Sequence, residues 1–96
     1  MIVTAWKGGS YGIRVGRRNV RKHFPPNWKS IEVRIDGQPH IFKLTSTFWT
    51  TCPEFRGAVV EKFLKKNGLI PWRPGKPPKL RLLSSGGSRF RIILDN

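Results

Sequence analysis

The stretch SIEVRIDGQPHIFKL, residues 30–44, decides the fold. Ile31, Val33 and Ile35 alternate with Glu32, Arg34 and Asp36, the period-two pattern of a strand with one apolar face. Asp36-Gly37 is a strong signal for a two-residue hairpin turn, and Ile41, Phe42 and Leu44 return in the next strand. An antiparallel hairpin therefore stands in the middle of the chain, and the remaining elements are read outward from it.

Upstream, Met1 to Trp6 is rich in strand formers and stops at Gly8-Gly9. Tyr11 to Val15 reads as a second short strand, with Tyr11, Ile13 and Val15 on one face and Gly12 and Arg14 on the other. Gly16 breaks it. The basic run Arg17 to Phe24 is then a turn or a single short helix, ended by Pro25-Pro26.

Downstream, Thr51 or Cys52 followed by Pro53-Glu54 has the marks of a helix start: a capping residue, proline at the first helical position and an acid in the first turn. Phe55, Val59 and Phe63 recur at helical spacing with Ala58 and Leu64 beside them, and Gly68 follows Lys65-Lys66-Asn67 as a stop. The pattern predicts a helix over about residues 53–67. Pro71 to Pro78 holds four prolines and reads as a stiff, extended connector. Leu80 and Leu82, then Ser84-Ser85-Gly86-Gly87, then Phe90, Ile92 and Leu94 make a second hairpin. Residues 1–96 thus form one α+β domain, ordered strand, strand, short helix, hairpin, long helix, hairpin.

Charge bounds the function. Nineteen Lys and Arg face only five Asp and Glu among 96 residues, a formal net charge of +14. Such an excess matches a polyphosphate, because neutralising nucleic-acid phosphates releases condensed counterions. The cations are spread through a chain that is 38% hydrophobic, with four Trp and six Phe among them, as expected of a folded basic domain and not of a basic tail. No apolar run approaches the ~20 residues that span a bilayer, and the strand-like segments argue against an interfacial helix. The apolar N-terminus has no charged n-region and meets Lys7-Gly8-Gly9 at once, so it is not read as a signal peptide. With one cysteine, Cys52, no internal disulfide or zinc finger is expected. A cytoplasmic location, associated with nucleoid or nucleus, is the default.

Catalysis is not expected, and neither is a metal or other cofactor. Asp36 serves a turn, Glu54 a helix start, Glu61 lies mid-helix and Asp95 is near the terminus, so no carboxylate cluster for two-metal chemistry forms. His23, His40 and Cys52 show no metal-ligand spacing.

The sharper feature is the run Arg17, Arg18, Asn19, Arg21 and Lys22, which suits a nucleic-acid arm: Arg reads guanine, Asn reads adenine and Lys meets phosphate. Lys62, Lys65 and Lys66 complement a helix C-terminus or touch phosphate. Arg81, Arg89 and Arg91 lie on the outward face of the last hairpin. Trp6, Trp28, Phe42, Phe55, Phe63 and Phe90 fall on apolar faces and read as core, whereas Trp49 stands in a loop of Ser and Thr able to donate to phosphate. Trp72, among prolines, can pack back on the domain.

The run from Gly12 to Arg21, Phe24-Pro25, the Ile31 to Leu44 hairpin, the polar loop with Phe48-Trp49, the helix ending Phe63 to Leu69 and a closing hairpin together resemble the DNA-binding pseudobarrel. That fold is known from plant transcription factors and from effector domains of some restriction endonucleases. The resemblance implies a small, mainly antiparallel open barrel whose two arms grip the DNA major groove. It places Arg14, Gly16, Arg17, Arg18, Asn19 and Arg21 in the first arm, and Ser46, Thr47, Trp49 and Thr50 in the second, with Arg56 close behind. Two features depart from it: the helix from Pro53 is longer than in that family, and Lys76 follows Gly75 where an acid is usual. The expectation is a non-catalytic double-stranded-DNA-binding domain, a regulator or a recognition component of a larger system. An RNA-binding protein of a ribonucleoprotein and a small protein-interaction module or inhibitor are the alternatives.

Overall fold

The computed structural model describes residues 1–95. Its elements are β1 (Ile2–Lys7), β2 (Tyr11–Arg14), α1 (Arg17–His23), β3 (Ser30–Ile35), β4 (Gln38–Lys43), α2 (Ser46–Thr50), β5 (Glu54–Arg56), α3 (Ala58–Lys66), β6 (Lys79–Gly86) and β7 (Arg89–Leu94). The central hairpin forms as the sequence predicts. Asp36 and Gly37 take φ of 52° and 81°, the left-handed pair that a two-residue turn matched to strand twist demands. Ile35 then pairs with Gln38, and Ile31 with Phe42.

All seven strands join one sheet in the order β4-β3-β7-β6-β1-β2-β5. Neighbours are antiparallel except β3 and β7, which run parallel with Val33 beside Phe90. The edge strands β4 and β5 come back toward each other, and Phe42 meets Phe55 across the gap with ring centroids 4.6 Å apart. The result is a small α+β protein whose sheet is nearly closed into a barrel. Its interior holds Val3, Ile13, Ile31, Val33, Leu64, Leu80 and Leu82, each at most 1% exposed, and among the described residues no polar or charged residue is buried.

The segment read as the start of a long helix folds differently. Glu54–Arg56 is a strand, and α3 begins only at Ala58, after Gly57. Pro53 does not open a helix; its carbonyl accepts from the amides of Val15 and Gly16 at 2.9 and 3.3 Å and so extends the β2–β5 pairing. Gly12 permits that pairing. A Cβ there would stand 2.6 Å from the Phe55 carbonyl oxygen and 2.8 Å from the Arg56 Cβ, too close to exist. Phe55 therefore fills the barrel from a strand, and the inward face of α3 is Val60, Phe63 and Leu64, with Val59 only half-buried. The helix ends as predicted: the Leu69 and Gly68 amides donate to the carbonyls of Leu64 (2.9 Å) and Lys65 (3.1 Å).

Two further expectations change. Residues 46–50 form the short helix α2, not a loop, because Phe48 drops into the core while the Thr50 hydroxyl donates to the Ser46 carbonyl at 2.8 Å. Trp6 is not core. Val3 and Ala5 take the inward positions of β1, so Ile2, Thr4 and Trp6 project from the outer face. Phe63→Ala should cost roughly 3–5 kcal/mol, as large-to-small changes of buried aromatics do. Val59→Ala should cost under about 1 kcal/mol, its side chain lying at the margin of the core. Urea denaturation of both variants checks the phase of α3; equal losses would contradict it.

Candidate nucleic-acid interface

Helix α1 hangs on a few anchors. Val20 is its buried residue, and Phe24, which follows the last turn, is also buried. Asn19 ties the helix to the sheet, its amide nitrogen donating to the carbonyls of Ile2 and Val15, each at 2.8 Å. The remaining side chains, Arg17, Arg18, Arg21, Lys22 and His23, are exposed. Asn19 thus has its donors occupied by backbone and stands apart from the free cations around it.

The second predicted arm lies beside the first. The Arg17 guanidinium donates to the Thr50 carbonyl at 3.4 Å, and a cleft of about 170 Å³ opens between Arg17 and Arg21 on one side and Trp49 and Thr50 on the other. Trp49 is half-buried, edge-on to Phe48 at 5.2 Å, while Ser46 and Thr47 are exposed. The structure therefore brings Arg17, Arg18, Arg21 and Lys22 together with Ser46, Thr47, Trp49 and Thr50 along one α1–α2 rim.

Arg14 and Arg56 do not join that rim. They project from the outer face of the sheet and flank Trp6, their guanidinium carbons 6.0 and 5.6 Å from its ring centroid. Arg14 also pairs with Glu54 at 3.6 Å. The sequence reading missed this Trp6 cluster because both faces of β1 carry apolar residues; the available signal was Gly12, a missing side chain in register opposite Trp6.

The acids lie elsewhere. Among the described residues the ion pairs are Arg14–Glu54, Lys66–Asp36 (3.6 Å) and Arg81–Asp95 (2.7 Å). None reaches α1, whose first turn also lacks an acid. Arg17 and Arg21, and Arg18 and Lys22, are spaced four apart, so like charges stand one above the other on a helix surface. Two arginines also open the helix, at the end where its dipole disfavours cations. Among the described residues no group of His, Cys, Asp and Glu forms a metal site, and no helix is long and apolar enough to cross a membrane. In comparisons with protein-family models, curated proteins and solved structures, nothing matches the chain.

Asn19→Ala should cost about 1–3 kcal/mol, since both bonds that tie the helix to the sheet, to the Ile2 and Val15 carbonyls, are lost. Arg18→Ala, in the neighbouring position, should stay within about 0.5 kcal/mol of the parent. Thermal melts of the two variants make the comparison.

Proposed function

We propose that this chain is a non-catalytic double-stranded-DNA-binding domain of the pseudobarrel kind, holding the duplex with the α1–α2 rim. The observation that carries the reading is the uncompensated charge of α1: four exposed Arg and Lys on a seven-residue helix, none paired with an acid among the described residues. Each like-charge pair at this spacing costs about 0.2–0.5 kcal/mol and each cation at the helix start about 0.3–1 kcal/mol. A stabilising role does not account for that arrangement, whereas a line of phosphates reverses its sign.

The dimensions suit a groove. An α-helix with its side chains is about 10–12 Å across, and the DNA major groove, about 12 Å wide, admits one. Arg17, Arg18 and Arg21 carry forks that can read guanine edges or hold phosphate, Lys22 is a point charge for the backbone, and Ser46 and Thr47 offer hydroxyls to phosphate oxygens. The domain acts as a regulator or as the recognition part of a larger system, located with the DNA it binds. A-form RNA buries its major groove too deeply for such entry, so duplex DNA should compete far better than duplex RNA of equal length.

Two measurements test the reading. With six or more phosphate contacts, duplex affinity should fall by about three decades or more between 50 and 200 mM salt; a flat response is incompatible with the proposal. Arg17→Ala with Arg18→Ala should leave the melting temperature nearly unchanged while weakening duplex binding. If either residue reads a base edge, the loss is about 1–3 kcal/mol and differs between DNA sequences; if both meet phosphate, it is uniform and the salt slope becomes shallower. Full retention of binding by the double variant refutes the rim as the interface.

A further inference from the structure

A second surface joins cations to flat aromatic faces. Where β1 and β2 approach their turn, a cleft of about 490 Å³ opens between Trp6 and Trp72, with Lys7 and Arg14 on its walls and Gly75 and Pro77 of the connector along its margin. No acidic side chain lines it. Trp72 is fixed edge-on to Tyr11 at 5.7 Å, and the Lys7 ammonium sits 5.3 Å from the Tyr11 ring centroid. Trp6 is half-buried on the outer face of β1, in register with the bare Gly12, with the Arg14 and Arg56 guanidiniums over its ring.

We propose that this cleft binds an unpaired stretch of single-stranded nucleic acid, stacking a base against the Trp6–Trp72 walls while Lys7, Arg14 and Arg56 meet the adjoining phosphates. Charge and aromatic faces are independent features of the cleft. Cations alone would suit any polyanion, and aromatic rings alone would suit any apolar ligand. A nucleotide carries a planar π face and a phosphate at one short spacing and a strand repeats them, which is how sequence-tolerant single-strand sites are built. The cleft volume lies within the range of small-ligand pockets, and the open rim leaves a strand free to continue past it. This site is separate from the α1–α2 rim, so either can fail without the other.

The test uses the full chain and a fluorescently labelled oligomer of ten thymidines, followed by anisotropy at 50 mM salt and by tryptophan emission. Saturable binding with quenched emission is expected. Trp6→Ala should weaken it by about 5- to 150-fold, the range for removing one base-stacking partner, and Trp6→Phe should restore most of the loss. Duplex affinity should be unaltered in both. Arg17→Ala with Arg18→Ala should weaken duplex binding and spare the oligomer. Should Trp6→Ala melt early, Lys7→Glu, at an exposed position, provides the second variant and should also weaken the oligomer complex. An abasic phosphate oligomer of equal length should bind far less well than the thymidine oligomer. The proposal is overturned by equal binding of the two oligomers, by thymidine monophosphate binding as tightly as the strand, or by folded Trp6→Ala and Lys7→Glu variants that keep parental affinity.

Discussion

The ring of Phe24 holds the arrangement together. It stacks on Phe90 of β7 at 5.4 Å and 11°, lies 5.6 Å from Phe48 of α2, and meets Trp28 at 5.5 Å. Its amide also closes α1 by donating to the Val20 carbonyl at 2.9 Å. One side chain thus joins the basic helix, its neighbour helix and the barrel wall. Burial of a phenylalanine stabilises by about 1.5–3 kcal/mol, and each aromatic pair adds about 0.5–1.5 kcal/mol. The repulsion along α1 is smaller than this, so the helix tolerates charges that would unwind it in isolation. The Phe24-Pro25 pair, noted in the sequence as the end of a basic arm, is also the point from which that arm is hung.

Strands whose alternation was unambiguous were legible in the sequence, and so was the α+β barrel-like class. The Asp36-Gly37 turn left one register for Ile31, Val33 and Ile35, and the Leu80–Leu82 and Phe90–Ile92 segments each alternate apolar residues with Arg on the other face. The segment from Pro53 was misread because its local signals and its tertiary setting disagree. Thr51, Pro53 and Glu54 fit a helix start, yet β2 offers the segment a strand partner, with Arg14 facing Glu54 and Gly12 facing Arg56 at close range, and the gap beside Phe42 takes Phe55. Such a constraint lies forty residues away in the chain and leaves no mark on the local pattern. Helix α2 was hidden for a similar reason, since Ser and Thr favour turns unless a residue such as Phe48 is pulled inward. The cationic run of α1 could be read directly, but the separation of Arg14 and Arg56 from it, around Trp6, depends on which face of β1 turns outward.

Stability and charge are assigned to different atoms in this protein. The interior is entirely apolar among the described residues, and cations occupy the outer sheet face and the helices that cap the barrel. Surface substitutions can therefore alter the electrostatic field without disturbing the packing, and changes in the core can lower stability while leaving the pattern of charges intact. The ion pairs that exist, at Glu54, Asp36 and Asp95, all involve exposed cations. Exposed pairs contribute little to folding; their larger effect is to thin the positive field locally and leave α1 as a concentrated part of it.

Strand β7 follows every other strand in the chain, yet it sits between β3 and β6. Before it docks, the sheet exists only as two unconnected pieces, the β3–β4 hairpin and the β6-β1-β2-β5 set. A chain emerging from the ribosome carries the β3–β4 hairpin well before β6 and β7, its last two strands, are made, and in that interval the β3 edge and the apolar face of the hairpin stand uncovered. Pairing across such sequence distances is slow, and exposed edges of this kind recruit other chains. Arg89 and Arg91, which β7 places beside Glu32 and Arg34, thus arrive with the strand that ends this vulnerable interval. Arg89 meets Glu32 and Arg91 meets Arg34, so one pair across the seam attracts and the other repels, and it is the two-residue link from β6, holding β7 at high local concentration, that favours the chain's own strand over a second copy's.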